Sequence, residues 1–217
     1  MGMMLGSTRG LEMPNYAVVH KAVSYEVRRY APSIVAECNF AKGGWGEGDD
    51  GSPFGVLARY IGVFGKPENL WQSNGGTAEP IAMTAPVIVT APEPISMTAP
   101  VLVSPTQGDN AHTMAFVLPA SRFQTVAAAP QPTDSRVTLR QLPERLQAVR
   151  TYSWNFRPDS AKEQLAALLA DLQTDGWAVK HTAAGHPEWQ AAGYNPPFAL
   201  PFLKRNEVLV SVEEKPN

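Results

Sequence analysis

Two stretches of the chain share one order of patterns: an alternating strand, a turn with a proline, a second alternating strand and then one amphipathic helix. Tyr25–Tyr30 and Ser33–Phe40 flank the first turn, and Val137–Leu142 and Arg145–Ser153 flank the second. A helix with a single apolar face must bury that face against another layer of structure. The pattern therefore predicts an α+β fold in which a sheet is covered by helices.

Both predicted helices carry signals for where they begin and end. Ser52 can cap the first helix, Pro53 occupies its first position, and Gly62 ends it. Pro158 opens the second helix and Gly176 stops it. The apolar stripe of the second helix consists of Leu165, Leu168, Leu169 and Leu172. We expect this stripe to be core.

Further strands are predicted after each helix, at Thr113–Pro119 and at Glu207–Val212. The strand, strand, helix, strand, strand order thus occurs twice, in halves at about residues 20–119 and 134–213. We predict one domain over residues 1–217, with two pseudo-symmetric ββαββ halves. They would form an antiparallel sheet or distorted β-barrel flanked by two long helices, with a cleft between the halves.

A tandem segment lies in the first half of the chain. Pro80–Val87 and Pro94–Val101 share the pattern Pro-Ile-Ala/Ser-Met-Thr-Ala-Pro-Val. One copy is expected to form a strand and the other an inserted hairpin arm or extended edge, because proline cannot pair within a central strand. Met83 and Met97 hold equivalent positions, and core packing is favoured over thioether ligation for both.

Composition limits the partners and the compartment. Eighteen basic and 20 acidic side chains give a net charge of −2, which disfavours nucleic acid and anionic lipid. The single cysteine, Cys38, shares a strand face with Ile34 and Ala36 and is expected to be a buried thiol in a reducing compartment. No stretch has the apolar length of a signal or a membrane span, so a cytoplasmic location is expected.

Five motifs in order make the chain resemble the SOUL haem-binding protein family over nearly its whole length. They are Tyr25–Tyr30, Met97–Val101, Pro130–Asp134, Tyr194–Pro197 and Arg205–Val208. Leu57–Asn69 and the multiplied Met-Thr-Ala-Pro segment are similar to the cytosolic plant and algal branch. The resemblance implies a twisted antiparallel barrel with two helices. It also implies reversible, non-enzymatic binding of haem and related porphyrins, as a carrier, buffer or sensor.

A porphyrin is an apolar disc with two propionates, so its site needs an apolar slot with cations at the mouth. One candidate wall is the first helix, and the opposite wall is the segment that precedes the last strand. The helix contributes Phe54, Leu57, Ala58 and Ile61, and the segment contributes Phe198, Leu200, Phe202 and Leu203. Core packing is the competing interpretation for each of these residues.

For the cations, Arg59 stands where the resemblance implies a basic residue that meets the propionates. A second basic position of the family corresponds here to Ala199 or Leu200, and Lys204 or Arg205 could replace it.

The resemblance also implies an axial histidine in the first hairpin for one branch of the family. The matching residue here is Arg29, which cannot ligate iron as a neutral imidazole does. The sequence also offers His20, His112, His181 and His186 together with the methionines, and of these Met83, Met97 and His20 are the axial candidates. Either packing and propionate contacts hold the ligand, or another side chain ligates it.

Two other classes of function stay open at the level of sequence. One is a small-molecule effector-binding or hydrolytic domain, for which Glu207 could act as a base. The sequence has no serine, histidine and acid triad pattern, no HExxH and no phosphate-binding glycine loop. The other is a scaffold protein that has lost haem binding, which Arg29 in place of the histidine leaves possible.

Overall fold

The computed structural model describes residues 11–41, 51–63, 65–71, 75–90, 111–195 and 199–215. Its strands are β1 (Tyr16–Lys21), β2 (Glu26–Tyr30), β3 (Ser33–Ala41), β4 (Asn69–Leu70), β5 (Val87–Thr90), β6 (Ala111–Val117), β7 (Gln131–Pro132), β8 (Val137–Leu142), β9 (Arg145–Tyr152), β10 (Trp189–Gly193) and β11 (Asn206–Ser211). Its helices are α1 (Pro53–Ile61), with nine residues, and α2 (Pro158–Thr174), with 17.

Within the described residues, nine strands form one antiparallel sheet in the order β1-β2-β9-β11-β10-β5-β6-β3-β8. The sheet is a curled half-barrel whose edges are β1 and β8, rather than a closed barrel. Strands β4 and β7 pair separately in a small two-stranded sheet. The α+β prediction is therefore confirmed, and the predicted barrel is open along one side.

Helix α1 begins and ends as its sequence predicts. The Ser52 hydroxyl accepts a hydrogen bond from the Gly55 amide at 3.0 Å, and Pro53 lies at the first position. Gly62 ends the helix with φ of 86°, and a Cβ there would lie 2.7 Å from Pro67 Cγ. Glycine is therefore required at this position by both its backbone and its neighbour.

Each helix packs on one half of the same sheet face, which we call the helical face. The α1 core includes Leu57 with Ile34, Ala36 and Cys38, so the predicted buried thiol is confirmed. Burial raises the pKa of this thiol. The α2 core groups buried residues of the helix with inward-facing strand residues, among them Ala161, Leu168, Leu172, Ala148, Val208 and Val210.

Alternate residues of each strand point to the second side of the sheet, the opposite face. Leu209 lies between Val208 and Val210 in the chain but packs instead with Tyr30 and Val149. Leu11, from the segment before β1, packs on this group. The opposite face is thus a separate layer from the two helical cores.

Four strands were not predicted: β1, β10 and the two-residue strands β4 and β7. All six side chains of β1 are exposed, so the strand lacks the apolar alternation that marks a half-buried strand. Strand β10 has the sequence Trp-Gln-Ala-Ala-Gly, whose small residues have low strand propensity, and pairing with β5 and β11 imposes its conformation.

The first tandem copy contributes less strand than expected. Strand β5 starts only at Val87, after Pro86, and residues 80–86 are not strand. Prolines cannot donate to the ladder of a central strand, which explains the late start. The second copy, with Met97, lies outside the described residues. Among the helices that the structure describes, none is both long and apolar enough to cross a membrane.

Candidate functional site

Between α1 and α2, the surface of the helical face is formed by one row of residues that are neighbours across adjacent strands. We call this row the floor. In register across five strands, Tyr152 is opposite Asn206, Asn206 opposite Gly193, Gly193 opposite Val87, and Val87 opposite Phe116. Gly193 has no side chain, so the middle of this row is low. The row lies where the two halves of the sheet meet.

Two aromatic rings stand on this floor. Phe156 lies over Gly193, where a Cβ would meet its ring at 3.2 Å, and it packs against both the α1 core and the α2 core. Phe54, at the start of α1, meets Phe116 edge to face with ring centroids 5.4 Å apart. Phe54 and Phe156 are both half-buried, so apolar surface remains accessible between the helices.

The floor continues into a surface that we call the aromatic rim, formed by Trp154, Leu200, Phe202 and Leu203. Their exposed fractions are 66%, 45%, 60% and 49%, which is unusual for neighbouring large apolar side chains. The Trp154 amide donates to the Pro201 carbonyl at 2.9 Å, and Asn206 Nδ2 donates to the Trp154 carbonyl at 2.8 Å. These bonds fix the two loops of the rim to each other and to β11.

The backbone of Trp154 adopts a left-handed conformation with φ of 79°, which is uncommon for a non-glycine residue. Such conformations persist where surrounding contacts determine them, and they concentrate at binding sites. Here the two hydrogen bonds at Trp154 hold a loop that leaves its indole exposed.

A cation lies beside the rim. Lys204 is only 8% exposed, and its Nζ donates to Asn155 Oδ1 at 3.3 Å. Arg59, on α1, is half-buried and pairs through Nε with Glu68 Oε1 at 3.2 Å. The backbone amide of Glu68 also donates to the Arg59 carbonyl at 3.0 Å, which ties this helix end to the segment leading into β4.

The predicted slot residues fall into three groups. Leu57, Ala58 and Ile61 are buried in the α1 core, whereas Phe54 reaches the accessible surface between the helices. Leu200 and Phe202 come together in the aromatic rim, next to Lys204 in sequence. Phe198 lies outside the described residues.

The described axial candidates lie in different places. Met83 is half-buried against the α1 core, and His20 is exposed on β1, with its ring centroid 5.8 Å from that of Trp177. No group of three or more histidine, cysteine, aspartate or glutamate side chains in the described part of the chain could hold a metal ion.

Sequence analysis did not single out Trp154, Phe156 or Tyr152. The hydroxyl of Tyr152 is buried and has no hydrogen-bond partner among the described residues, and burial raises the pKa of this phenol to about 12. Tyr152 lies at the end of the predicted strand, and Trp154 and Phe156 follow it in a stretch without a helical or alternating pattern. An aromatic cluster, Tyr-Ser-Trp-Asn-Phe, was the one signal that could have indicated them.

On the opposite face, Glu207 is fully buried and bound on several sides. It accepts hydrogen bonds from Arg28 Nη1 at 3.0 Å, Arg205 Nη2 at 2.7 Å and the Tyr194 hydroxyl at 2.5 Å. Burial alone would raise the pKa of Glu207, but Arg28, Tyr194 and Arg205 together hold it below its usual value. A carboxylate so engaged is a poor general base, which argues against the hydrolytic role considered for it.

A groove of about 420 Å³ lies elsewhere, beside the small sheet. Its wall includes Trp71 and Arg122, whose guanidinium carbon lies 5.7 Å from a Trp71 ring centroid. Arg122 is paired with Glu79 at 2.7 Å. None of the predicted site residues that the structure describes lines this groove.

Comparisons with solved structures show the fold. An uncharacterized conserved protein from Listeria innocua aligns with a TM-score of 0.53 at 14% identity, covering 88% of this chain and 92% of the other. The EcmrR C-terminal domain aligns with a TM-score of 0.50 at 9% identity, covering 94% of this chain and all of the other. At such identities the similarity concerns the fold alone. No curated protein matched the sequence.

Comparison with family profiles is decisive for membership. The profile of the SOUL heme-binding protein family matches residues 11–94 and again residues 90–211. The two matches together span both cores, the aromatic rim and the Glu207 network. The chain therefore belongs to the SOUL heme-binding protein family.

Proposed function

We propose that this protein binds haem and related tetrapyrroles reversibly, as a carrier, buffer or sensor, and that it does so without catalysis. Membership of the SOUL heme-binding protein family supports the ligand class. The observation that carries the site is the aromatic rim, where four large apolar side chains are exposed beside Lys204. An apolar disc with acidic edges matches a surface of that kind.

In this proposal the macrocycle lies against Trp154, Leu200 and Phe202. Lys204 meets one propionate, and its hydrogen bond to Asn155 orients the ammonium. Phe54 borders the ligand from α1, while Leu57, Ala58 and Ile61 support that helix from the core.

Arg59 is the second cation of the proposed site. The side chain of its partner Glu68 is at the surface, so an ion pair between the two is weak. A propionate could therefore replace the Glu68 carboxylate at little cost in free energy. Packing carries most of the affinity, and Met83, Met97 or His20 would add to it only when iron is present.

The test is a titration of the full chain with haemin and with metal-free protoporphyrin, following the Soret band and tryptophan quenching. We expect saturation with both ligands, because packing does not require iron. Trp154 is exposed in the rim, so its fluorescence should fall. No response to either ligand would refute the proposal and favour a scaffold that has lost haem binding.

A variant pair locates the site. Phe202→Ala removes an exposed ring and should weaken binding about tenfold or more, without loss of folding. Val18→Ala, at an exposed position of edge strand β1, is the matched control and should bind normally. Equal affinities of the two variants would place the ligand elsewhere.

We also propose that the chain is one domain of two pseudo-symmetric halves. The corresponding strands of the two halves are β2 and β8, β3 and β9, β5 and β10, and β6 and β11. When the labels of each pair are exchanged, the order of these eight strands in the sheet reads the same in the opposite direction, as expected for a pseudo-twofold axis. This order supports the proposal. Each half then contributes one helix to the same sheet face.

Branch, location and partners complete the proposal. Leu57–Asn69 and the multiplied Met-Thr-Ala-Pro segment support the cytosolic plant and algal branch, and with it a cytoplasmic location. The small net charge of −2 supports a protein that does not bind nucleic acid.

A further inference from the structure

Arg145 opens β9 on the opposite face and carries a charge that the described residues leave unmatched. Its Nε and Nη1 atoms are buried, and neither has a hydrogen-bond acceptor in the part of the chain that the structure describes. Its guanidinium carbon lies over the ring of Tyr30, 5.1 Å from the centroid. A guanidinium stays charged and has five donors, so burial without an acceptor is costly.

The carboxylates on the adjoining strands and turns are engaged with other arginines. They form the pairs Glu144 with Arg29, Glu214 with Arg29, and Glu37 with Arg140, at 3.4, 2.6 and 2.9 Å. Glu207 is likewise held by Arg28 and Arg205. Burial lowers the pKa of Arg145, and the charge of Arg140 lowers it further.

The surroundings of Arg145 offer a second donor. Tyr30 is in register with Arg145, and Ser33 with Leu142, so the proline turns between β2 and β3 and between β8 and β9 lie side by side at one corner of the sheet. The Ser33 hydroxyl is also buried and unpartnered within the described residues. The side-chain oxygen of Gln147, two residues along β9, also has no donor among the described residues. This oxygen therefore does not accept a hydrogen bond from Arg145.

We propose that the corner formed by Tyr30, Ser33 and Arg145 binds a small oxyanion group, a phosphate or a carboxylate. Such a group supplies the negative charge and the acceptor oxygens that Arg145 and the Ser33 hydroxyl lack. Arg145 is only partly buried, and the exposed turns at Pro32 and Pro143 leave a route from solvent. The site lies on the sheet face without helices, so it is separate from the proposed tetrapyrrole site.

The experiment measures thermal unfolding of the full chain in increasing inorganic phosphate, with ionic strength held constant by chloride. A parallel series uses acetate. A ligand that binds the folded state raises the unfolding midpoint by mass action. Arg145→Gln removes the charge, and Arg140→Gln is the matched control, since Arg140 is exposed and paired with Glu37.

We expect phosphate to raise the midpoint of the wild type and of Arg140→Gln, with binding weakened about tenfold or more in Arg145→Gln. Ser33→Ala removes an unbonded hydroxyl, leaves folding intact and should weaken binding several-fold. A response to acetate extends the site to carboxylates, whereas a response to phosphate alone restricts it to phosphate.

The phosphate-free midpoint provides a second readout. If Arg145 has no counter-ion until an anion binds, the phosphate-free midpoint of Arg145→Gln should equal or exceed that of the wild type, because an uncompensated buried charge has been removed. A large fall in that midpoint would show a structural role instead and overturn the proposal. So would an equal phosphate response in all variants, or no response of the wild type to either anion.

Discussion

Glu207 and its partners form a charged cluster in the interior of the opposite face. The carboxylate is 0% exposed, and Arg28, Arg205, Tyr194 and Thr151 all donate to it. Arg28 continues the cluster by donating to Glu26 at 2.9 Å. A buried carboxylate is tolerated when it is paired in this way. Its removal takes one negative charge away from arginines that stay buried, and this destabilises the fold.

Replacement of Glu207 by glutamine should therefore lower the free energy of unfolding by about 3 kcal/mol, because Arg205 loses its carboxylate partner and Arg28 keeps only Glu26. Urea unfolding at neutral pH measures the effect. Glu213→Gln, at an exposed position, serves as the control and should unfold like the wild type. Equal stability of the two variants would contradict the importance of the cluster.

The pH dependence of that difference has a definite sign. The pKa of Glu207 is lower in the folded protein than its ordinary value of 4.5. Its stabilisation is therefore complete above about pH 4.5, and it is lost as the pH falls through the lower folded value. Wild type and Glu207→Gln should converge in stability at acidic pH, as followed by circular dichroism. A gap that widened on acidification would mean that the pKa is raised instead.

Substitution of Arg59 tests the proposed tetrapyrrole site at a single residue. Arg59→Glu should weaken haemin binding by about 1–3 kcal/mol if the guanidinium holds a propionate. Glu68→Gln removes the competing carboxylate, which lies 3.2 Å from Arg59 Nε, and should preserve or strengthen binding. Fluorescence titration compares the two, and an unchanged affinity in Arg59→Glu would remove this residue from the site.

Among the elements, α1 depends on its ends more than a longer helix would. With nine residues it has few internal hydrogen bonds, so the Ser52 cap is a substantial part of its stability. Ser52→Ala should cost about 1 kcal/mol, and Ser52→Gly only a few tenths. Chemical unfolding distinguishes the two. A smaller loss for alanine than for glycine would mean that propensity, not capping, dominates here.

The elements also show what the sequence alone can predict. The strands on either side of both proline turns, both helices and the last strand were found, because each has a regular apolar period and turn or cap residues at its ends. The prediction that the first proline turn closes a hairpin was wrong, because β2 pairs with β9 and β3 with β8. Strands β1 and β10 were missed, since one is wholly exposed and the other takes its conformation from its neighbours.

The site was predicted less completely for a related reason. A helical period shows that Leu57, Ala58 and Ile61 share one face, but not whether that face meets a core or a ligand, and here it meets the core. Of the proposed site, Leu200, Phe202 and Lys204 were predicted from the sequence. Trp154 was not, because its exposure depends on a left-handed backbone in a loop without periodicity.

For the whole molecule, three strand pairs join the two halves into one sheet: β2 with β9, β3 with β8, and β10 with β5. Four residue pairs link β10 with β5, and Phe156 adds packing to both helical cores. We expect one cooperative thermal transition, with calorimetric and van't Hoff enthalpies in agreement. Scanning calorimetry provides the measurement, and two separated transitions would show that the halves unfold independently.

Gly193 links the two helical cores through the ring of Phe156. Because the sheet carries no side chain there, a single ring can descend far enough to contact both helical cores at once. The two helices do not need to touch in order to influence each other. A molecule that pushes Phe156 upward from the rim would loosen both cores together, so events at the protein surface would be transmitted through one aromatic side chain to the packing of each half.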